Sequence, residues 1–507
     1  MFLITDQQRF DTLVANGNPS MHTPVLDALA GSGTNLHGYF TNSPVCVPSR
    51  CTLFTGRYPH SHKVRENYTL LEAGREFHLF RILKQAKYKL GYVGKNHLLD
   101  EAEKQNFDCF SLAGSHELSS PDEQVLDRAY NEHLQQHGLK EGQSDAAWRA
   151  GFTHTQADTS TRSYQTAESA IDFLNSQAGS AQPFALCVSF EDPHVPHIAR
   201  AADAVKYPLD EIELYPDEGD IGLSSKARRW LIKKAAQKAS EASTQDKKRY
   251  IATYRAMISW IDTQIGRVLD TLESLQLREN TLIVFTSDHG DFNFEHGLAK
   301  KDLILADSLL HVPCIFSQHN QIVPQTRPED CLVEEVDILP TILDLLGVKI
   351  PFGIQGVSFA SVLKGTTKNH KEAVYAEISP PYLRCGYSDF PSFEKDHEKN
   401  GKTPFNIPGD FCKSIRTRDW RYVWYATGEE ELYNHQSDPN EHCNLAKLHP
   451  YASIKQKLKL RLLEWNALTE DPLDTNLGRE LQKQYTDWVP VSFQDGFQGQ
   501  PSWKPKV

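Results

Sequence analysis

Leu282-Ile283-Val284-Phe285-Thr286 runs without a break into Ser287-Asp288-His289-Gly290-Asp291. The apolar and β-branched residues do not alternate with polar ones, so the strand expected here is buried on both faces. That is the habit of parallel sheets covered by helices on each side. A carboxylate and an imidazole at its end fall where open α/β sheets build their sites, beyond the carboxyl ends of the strands. Two other stretches share this pattern. Phe2-Leu3-Ile4-Thr5 runs into Asp6-Gln7, and Phe184-Ala185-Leu186-Cys187-Val188-Ser189-Phe190 runs into Glu191-Asp192-Pro193-His194. Three strands are thus expected to deliver carboxylates, an amide and histidines to one sheet edge. The fold class is α/β, a large mostly parallel sheet sandwiched by helices.

Between these strands lie helices. Ile251, Tyr254, Ile258, Ile261, Ile265, Leu269 and Leu272 recur at three- and four-residue spacing and predict one long helix with a single apolar stripe. Val336 to Leu346 is a second helix. The lysine-rich stretch 205–248 and the polar stretch 100–160 read as surface insertions, the lysines as a solvated helix face. Near residue 365 the texture changes, with glycine, proline and charge across 364–372 and 379–410. Tyr422-Val423-Trp424-Tyr425 and Glu431-Leu432-Tyr433 then read as short antiparallel strands around a turn at Thr427-Gly428. The expected organisation is a catalytic domain over 1–365 and a smaller α+β domain over 366–507, whose tail from about 470 wraps the surface.

Composition bounds the function. Of 507 residues 39% are hydrophobic and 24% charged, an ordinary globular balance. A formal charge of -12 argues against nucleic acid as the main partner. It leaves room for a locally positive site that takes an anion. No apolar run approaches the roughly 18 residues of a membrane span. The nine scattered cysteines form no CxxC pair, which suits reduced thiols rather than a disulfide framework. The chain opens on a strand already under way. An upstream leader would make the protein periplasmic or secreted; without one it is cytoplasmic.

The segment that carries chemistry is Cys46-Val47-Pro48-Ser49-Arg50, followed by Thr55-Gly56-Arg57 and Tyr58-Pro59-His60. It resembles the signature of the formylglycine-dependent sulfatases, within the alkaline phosphatase superfamily. Other matches follow in the family's order over about residues 1–450. Asp6-Gln7 resembles the first metal motif, Gly94-Lys95-Asn96-His97 a Gly-Lys-Trp-His motif, and Asp192-Pro193-His194-Val195-Pro196 a Pro-His-X-Pro motif. Thr286 to Asp291, with Glu295-His296-Gly297-Leu298 and Lys301, resembles the second metal motif and its trailing lysine. Val336-Asp337-Ile338-Leu339-Pro340-Thr341 and Asp438-Pro439-Asn440-Glu441 match landmarks of no catalytic role.

The resemblance implies a hydrolase of sulfate esters. A maturation enzyme oxidises the cysteine of this family to formylglycine, here at Cys46, and the hydrated aldehyde is the nucleophile. A sulfate ester needs positive charge on its sulfuryl oxygens, a strong nucleophile and an acid for the leaving group. By resemblance the metal ligands are Asp6, Gln7, Asp288, His289 and formylglycine 46. Mostly oxygen ligands favour Ca2+ ahead of Mg2+. Arg50 is expected to hold the formylglycine, Lys95 and Lys301 to clamp sulfuryl oxygens, and His97 to bond the nucleophile's second hydroxyl. His194 is the candidate general acid, and His60 and Asn67 fall on the substrate rim.

Departures from the pattern bear on the substrate. Gln7 replaces the second aspartate of many arylsulfatases and removes a negative charge, as in carbohydrate sulfatases and phosphonate monoester hydrolases. Asn96 stands for a tryptophan, Lys87 where glycine is frequent, and Cys51 is unusual beside Arg50. The expected partner is a sulfated small molecule or glycan, with a sugar sulfated at a chain end first and choline sulfate or aryl sulfates also open. Two other readings stay open: a phosphonate or phosphate monoester hydrolase of the same superfamily, and a non-catalytic binder of sulfated glycans if Cys46 is never oxidised.

Overall fold

A computed structural model describes residues 1–67, 69–71, 76–116, 120–140, 151–217, 225–327, 331–379 and 411–474. Its centre is an eight-stranded sheet built from β1 (Phe2–Thr5), β2 (Thr34–Leu36), β3 (Lys89–Gly94), β4 (Cys109–Ser111), β5 (Phe184–Ser189), β6 (Ile283–Ser287), β7 (Cys314–Ser317) and β8 (Gln325–Arg327). The spatial order is β8-β2-β7-β6-β1-β5-β3-β4. The three strands read from the sequence are therefore immediate neighbours, β6-β1-β5, all parallel. Only β7 runs against the rest, pairing Cys314 with Thr286.

The strands lack alternation because both faces are covered. Leu3, Val188, Ile283 and Phe285 point to one apolar layer, with Ile261, Ile265, Val268 and Leu272. Phe2, Ile4, Cys187 and Val284 point to the other, with Phe54, Leu339 and Leu343. Helices α1 (Pro24–Ser32), α4 (Arg162–Asn175) and α6 (Thr244–Ser274) cover the first face; α2 (Cys46–Thr55) and α7 (Ile338–Leu345) cover the second. The Ile251-to-Leu272 stripe lies on α6, which Ser243 starts with a capping box to Asp246.

Three further long helices are α3 (Pro121–Gln136), α5 (Arg228–Ala236) and α8 (Ala452–Leu468). α5 corrects the reading of the lysine-rich stretch. Lys233 and Lys234 are buried, and Lys233 bonds Asp302 at 2.9 Å. Trp230 is buried beside them, its indole N–H donating to Glu431 at 2.9 Å. This helix is wedged between the loop after β6 and the second sheet, with Lys233 holding Asp302 on one side and Trp230 holding Glu431 on the other. α3 likewise buries Leu126, Tyr130 and Leu134.

The second sheet is an antiparallel meander of β9 (Ala373–Ile378), β10 (Cys412–Thr417), β11 (Trp420–Tyr425) and β12 (Glu430–Asn434). The expected strands at 422–425 and 431–433 fall inside β11 and β12, and Gly428 supplies the left-handed turn residue between them at φ +86°. α8 lays Leu458, Leu462 and Trp465 against it. The expected tail beyond 474 and most of the 379–410 stretch lie outside the described residues. No described helix is long and apolar enough to cross a membrane.

Candidate active site

Cys46 opens α2. Pro48 sits in the first turn, where a missing N–H costs no helical bond, and Gly56 ends the helix at φ +63°. Val45 gives no side-chain cap; instead Asn67 Oδ1 accepts the Val47 N–H at 3.0 Å. One turn along, Arg50 lies on the same face as Cys46.

Arg50 is fully buried and joins four strand ends. Its Nε donates to Asp288 Oδ2 at 2.9 Å, Nη2 to Asp6 Oδ2 at 3.1 Å, and Nη1 to Ser189 Oγ at 2.7 Å and the Lys95 carbonyl at 3.4 Å. Lys95 follows Gly94, whose φ is +88° and where a Cβ would lie 2.1 Å from the Ser189 carbonyl oxygen. Only glycine allows β3 to end this close to β5, and so brings the Lys95 ammonium to 2.9 Å from Asp6 Oδ2.

The Cys46 sulfur lies 2.8 Å from Lys301 Nζ, 3.2 Å from His289 Nε2 and 3.8 Å from Asp6 Oδ1. Burial and Asp6 push the Cys46 thiol up, but Lys301, Lys95 and His289 outweigh them and hold it well below its ordinary value. A helix N-terminus acts in the same direction. Asp6 is likewise held low: burial opposes ionisation, while Lys95, Lys301 and Arg50 favour it. Burial and the neighbouring Asp6 raise Asp288 instead.

The family model for sulfatases matches residues 1–348. The chain belongs to the sulfatase family. It is an enzyme that hydrolyses sulfate esters. It is 27% identical over 490 residues to an uncharacterised sulfatase of Escherichia coli strain K12, covering 93% of this chain and 88% of that one. It is 28% identical over 499 residues to human iduronate 2-sulfatase, covering 86% and 87%. In fold it resembles the phosphonate monoester hydrolase of Agrobacterium radiobacter, with a TM-score of 0.72 at 22% identity over 93% of this chain and 96% of that one.

The donor set of this sulfatase fits a hard divalent cation. Ligand atoms of Asp6, Cys46, Asp288 and His289 lie within 4.8 Å of one another. The His289 Nδ1 faces the Gly290 carbonyl at 2.9 Å, which puts the proton there and leaves Nε2 as a donor atom. Gln7 sits at φ +72°, and its Nε2 donates to Asp291 Oδ2 at 2.5 Å. Its Oε1 therefore turns inward, where it accepts from Lys301 Nζ at 3.2 Å. The Lys301 ammonium, also 2.9 Å from His289 Nε2, is a cation resting among these donors.

The structure brings Asp6, Gln7, Cys46, Arg50, Lys95, Asp288, His289 and Lys301 together, with Asn67 Nδ2 4.0 Å from the Cys46 sulfur. One expectation changes. His60 is turned away: its ring nitrogens face Glu377 Oε1 and the Thr469 carbonyl, each at 2.7 Å, so it ties the segment after α2 to the second sheet and the end of α8 and has no nitrogen left for a substrate. His97 makes no hydrogen bond to Cys46 among the described residues. Its ring meets His116 edge-on, 5.4 Å between centroids. His194 Nδ1 faces the Val195 carbonyl at 2.6 Å, and burial, then Lys301 and Lys95, hold the ring well below its ordinary pKa. It is neutral with its lone pair on Nε2, so it accepts a proton more readily than it gives one.

Four residues escaped the sequence reading. Asp291 aims the Gln7 amide, and Ser189 receives Arg50. Lys233 pins Asp302 beside Lys301, and Glu191 lies three residues before His194. Asp291 and Glu191 left a trace in the sequence, the first as the second carboxylate of its motif and the second as a strand-end carboxylate, but neither was given a role.

Proposed function

We propose that this sulfatase removes the sulfate ester of a sulfated sugar, with formylglycine made from Cys46 by a maturation enzyme as nucleophile. A divalent cation, Ca2+ ahead of Mg2+, is held by Asp6, Gln7, Asp288, His289 and residue 46. The observation that carries the reading is the Cys46 side chain, set at a helix N-terminus between Lys301 Nζ at 2.8 Å and His289 Nε2 at 3.2 Å. A gem-diol in place of this sulfur meets a donor, an imidazole nitrogen and a cation site at once. The mixed set of two carboxylates, an amide oxygen and an imidazole suits the roomier coordination of Ca2+.

Hydrated formylglycine supplies one oxygen to attack sulfur and a second hydroxyl that later releases sulfate as the aldehyde re-forms. The cation supplies charge that draws the sulfuryl oxygens and favours loss of the attacking oxygen's proton. The chain's own residues do the rest. Arg50 keeps Asp6 and Asp288 fixed and partly neutralised. Lys95 and Lys301 are compact charges that offset the anion as it bears down on two carboxylates. Lys301 hands a proton to the departing alkoxide, and His194 Nε2 is free to take one up from the nucleophile's side. The sugar class rests on the kinship to iduronate 2-sulfatase and on Gln7 in place of a second aspartate.

Hydrolysis of 4-nitrophenyl sulfate, 4-nitrophenyl phosphate and a phenylphosphonate ester tests this, using protein co-expressed with a maturation enzyme and a Cys46→Ala control. Cys46-dependent sulfate release, with the mass of formylglycine in the residue 46 peptide, is the expected result. A large preference for the phosphonate ester would overturn the sulfate reading, and activity that survives Cys46→Ala would remove the nucleophile.

A further inference from the structure

Asp288 is held twice, by consecutive residues of α2. Arg50 Nε grips its side chain, and Ser49 Oγ lies 2.7 Å from its backbone carbonyl oxygen. Ser49 is held in turn by Glu335, in the turn that leads into α7, whose Oε1 lies 2.6 Å from Ser49 Oγ. The other oxygen of Glu335 accepts the Thr41 hydroxyl at 2.8 Å and the Asn42 N–H at 3.3 Å. Thr41, Asn42, Ser49, Asp288 and Glu335 are all buried. Among the described residues no cation pairs with Glu335. Asp288, of the same sign, disfavours its charge, and the groups that feel it, Tyr39, Cys51 and Cys314, are acids as well.

The hydrogens of this cluster can be counted. A carbonyl only accepts, so the single Ser49 hydrogen points at Asp288. Ser49 Oγ then turns lone pairs toward Glu335 Oε1, and two bare acceptors repel at 2.6 Å. The contact is a bond only if Glu335 brings the hydrogen. The contacts of Glu335 with Ser49, Ser49 with Asp288, and Thr41 with Glu335 then have one hydrogen each. An ionised Glu335 leaves one of them with none. Burial acts the same way, lifting the Glu335 carboxyl well above its ordinary value against the bonds from Ser49, Thr41 and Asn42.

We infer that Glu335 is a positioning residue that keeps its proton in the folded protein, donates it to Ser49, and through Ser49 fixes the Asp288 carbonyl. A neutral acid anchors this strand end without adding a third negative charge behind Asp6 and Asp288. Its bearing on turnover rests on the sulfatase mechanism proposed above. The proton does not.

Two variants separate the parts. Glu335→Gln keeps a donor and an acceptor but cannot ionise; Glu335→Met keeps the bulk and loses both. Urea unfolding of metal-free wild type and Glu335→Gln is compared from about pH 5 to 8. The folded wild type holds a proton that the unfolded glutamate releases above 4.5, so its stability falls against the variant as pH rises. The ratio of the two folding constants should move about tenfold per pH unit in favour of Glu335→Gln. A level ratio, or movement the other way, overturns the inference. On 4-nitrophenyl sulfate, kcat should stay within about threefold in Glu335→Gln and fall about ten- to hundredfold in Glu335→Met, with little change in KM. A tenfold loss in the glutamine variant, or none in a folded methionine variant, overturns the positioning role; thermal unfolding checks that both fold. Wild type without Cys46-dependent turnover would count against the proposed chemistry at residue 46, and the Glu335 proton would still be decided by the urea series.

Discussion

Arg50 has no water to turn to. Its guanidinium sees Asp6, Asp288, Ser189 and the Lys95 carbonyl, and so ties together the polar groups at four strand ends. Removing one member of a buried ion network leaves the others uncompensated, a loss of about 3–5 kcal/mol. Arg50→Ala is expected to lose that much in urea unfolding. Arg50→Lys should recover only part of it, because an ammonium cannot form the planar fork. Gln7 depends on a neighbour in a gentler way. An amide can be turned either way, and the Asp291 carboxylate, by taking the Gln7 N–H, turns the oxygen toward the cation site, where Lys301 also meets it. Asp291→Ala should therefore weaken Ca2+ binding about tenfold in a calorimetric titration, as losses of groups that orient ligands do. Unchanged affinity would mean that Gln7 is not a ligand.

At the scale of elements, strand ends were legible and their supports were not. Phe2–Thr5, Phe184–Ser189 and Ile283–Ser287 declare themselves by unbroken apolar runs, and the polar residues after each lie where a parallel sheet must put them. The Cys46 segment was legible through its motif. Lys233 was not, because a lysine is recognised as buried only through its counter-ion, and Asp302 lies far along the chain. His60 misled for the same reason: its motif named it, but its fate was set by Glu377 and Thr469. α5 matters to the reaction, since Lys233 grips Asp302 and Gln237 accepts the Ala299 N–H at 2.9 Å, on either side of Lys301. Lys233→Met frees that loop. A shift of about 1 Å in a catalytic group is enough for losses near a hundredfold. The expected result is a ten- to hundredfold fall in kcat on 4-nitrophenyl sulfate with a smaller change in KM, and an unaltered kcat would show that the loop holds itself.

For the whole molecule, the face of the sheet away from Cys46 carries a pH dependence of its own. Asp262, in the middle of α6, caps α1: its two oxygens accept the Leu26 N–H at 2.8 Å and the Val25 N–H at 3.1 Å. Burial lifts its carboxyl from the ordinary 3.8 to about 6, with the two backbone bonds pulling the other way. The folded state therefore holds a proton that the unfolded chain has released over the window from about 4 to 6. Stability follows the proton: the contribution is complete below about pH 4, declines as pH rises to about 6, and is flat beyond. A shift of this size corresponds to ~3 kcal/mol. Asp262→Asn removes the ionisation but keeps one accepting oxygen, at a loss of about 1 kcal/mol for the other bond. At pH 4 the variant should be slightly less stable than the wild type. Between pH 4 and 6 the difference should move in its favour and then level off, so that it is the more stable protein at pH 8. Thermal midpoints of the two proteins across this range check the sign, and curves that stay parallel would mean that Asp262 keeps its charge on folding.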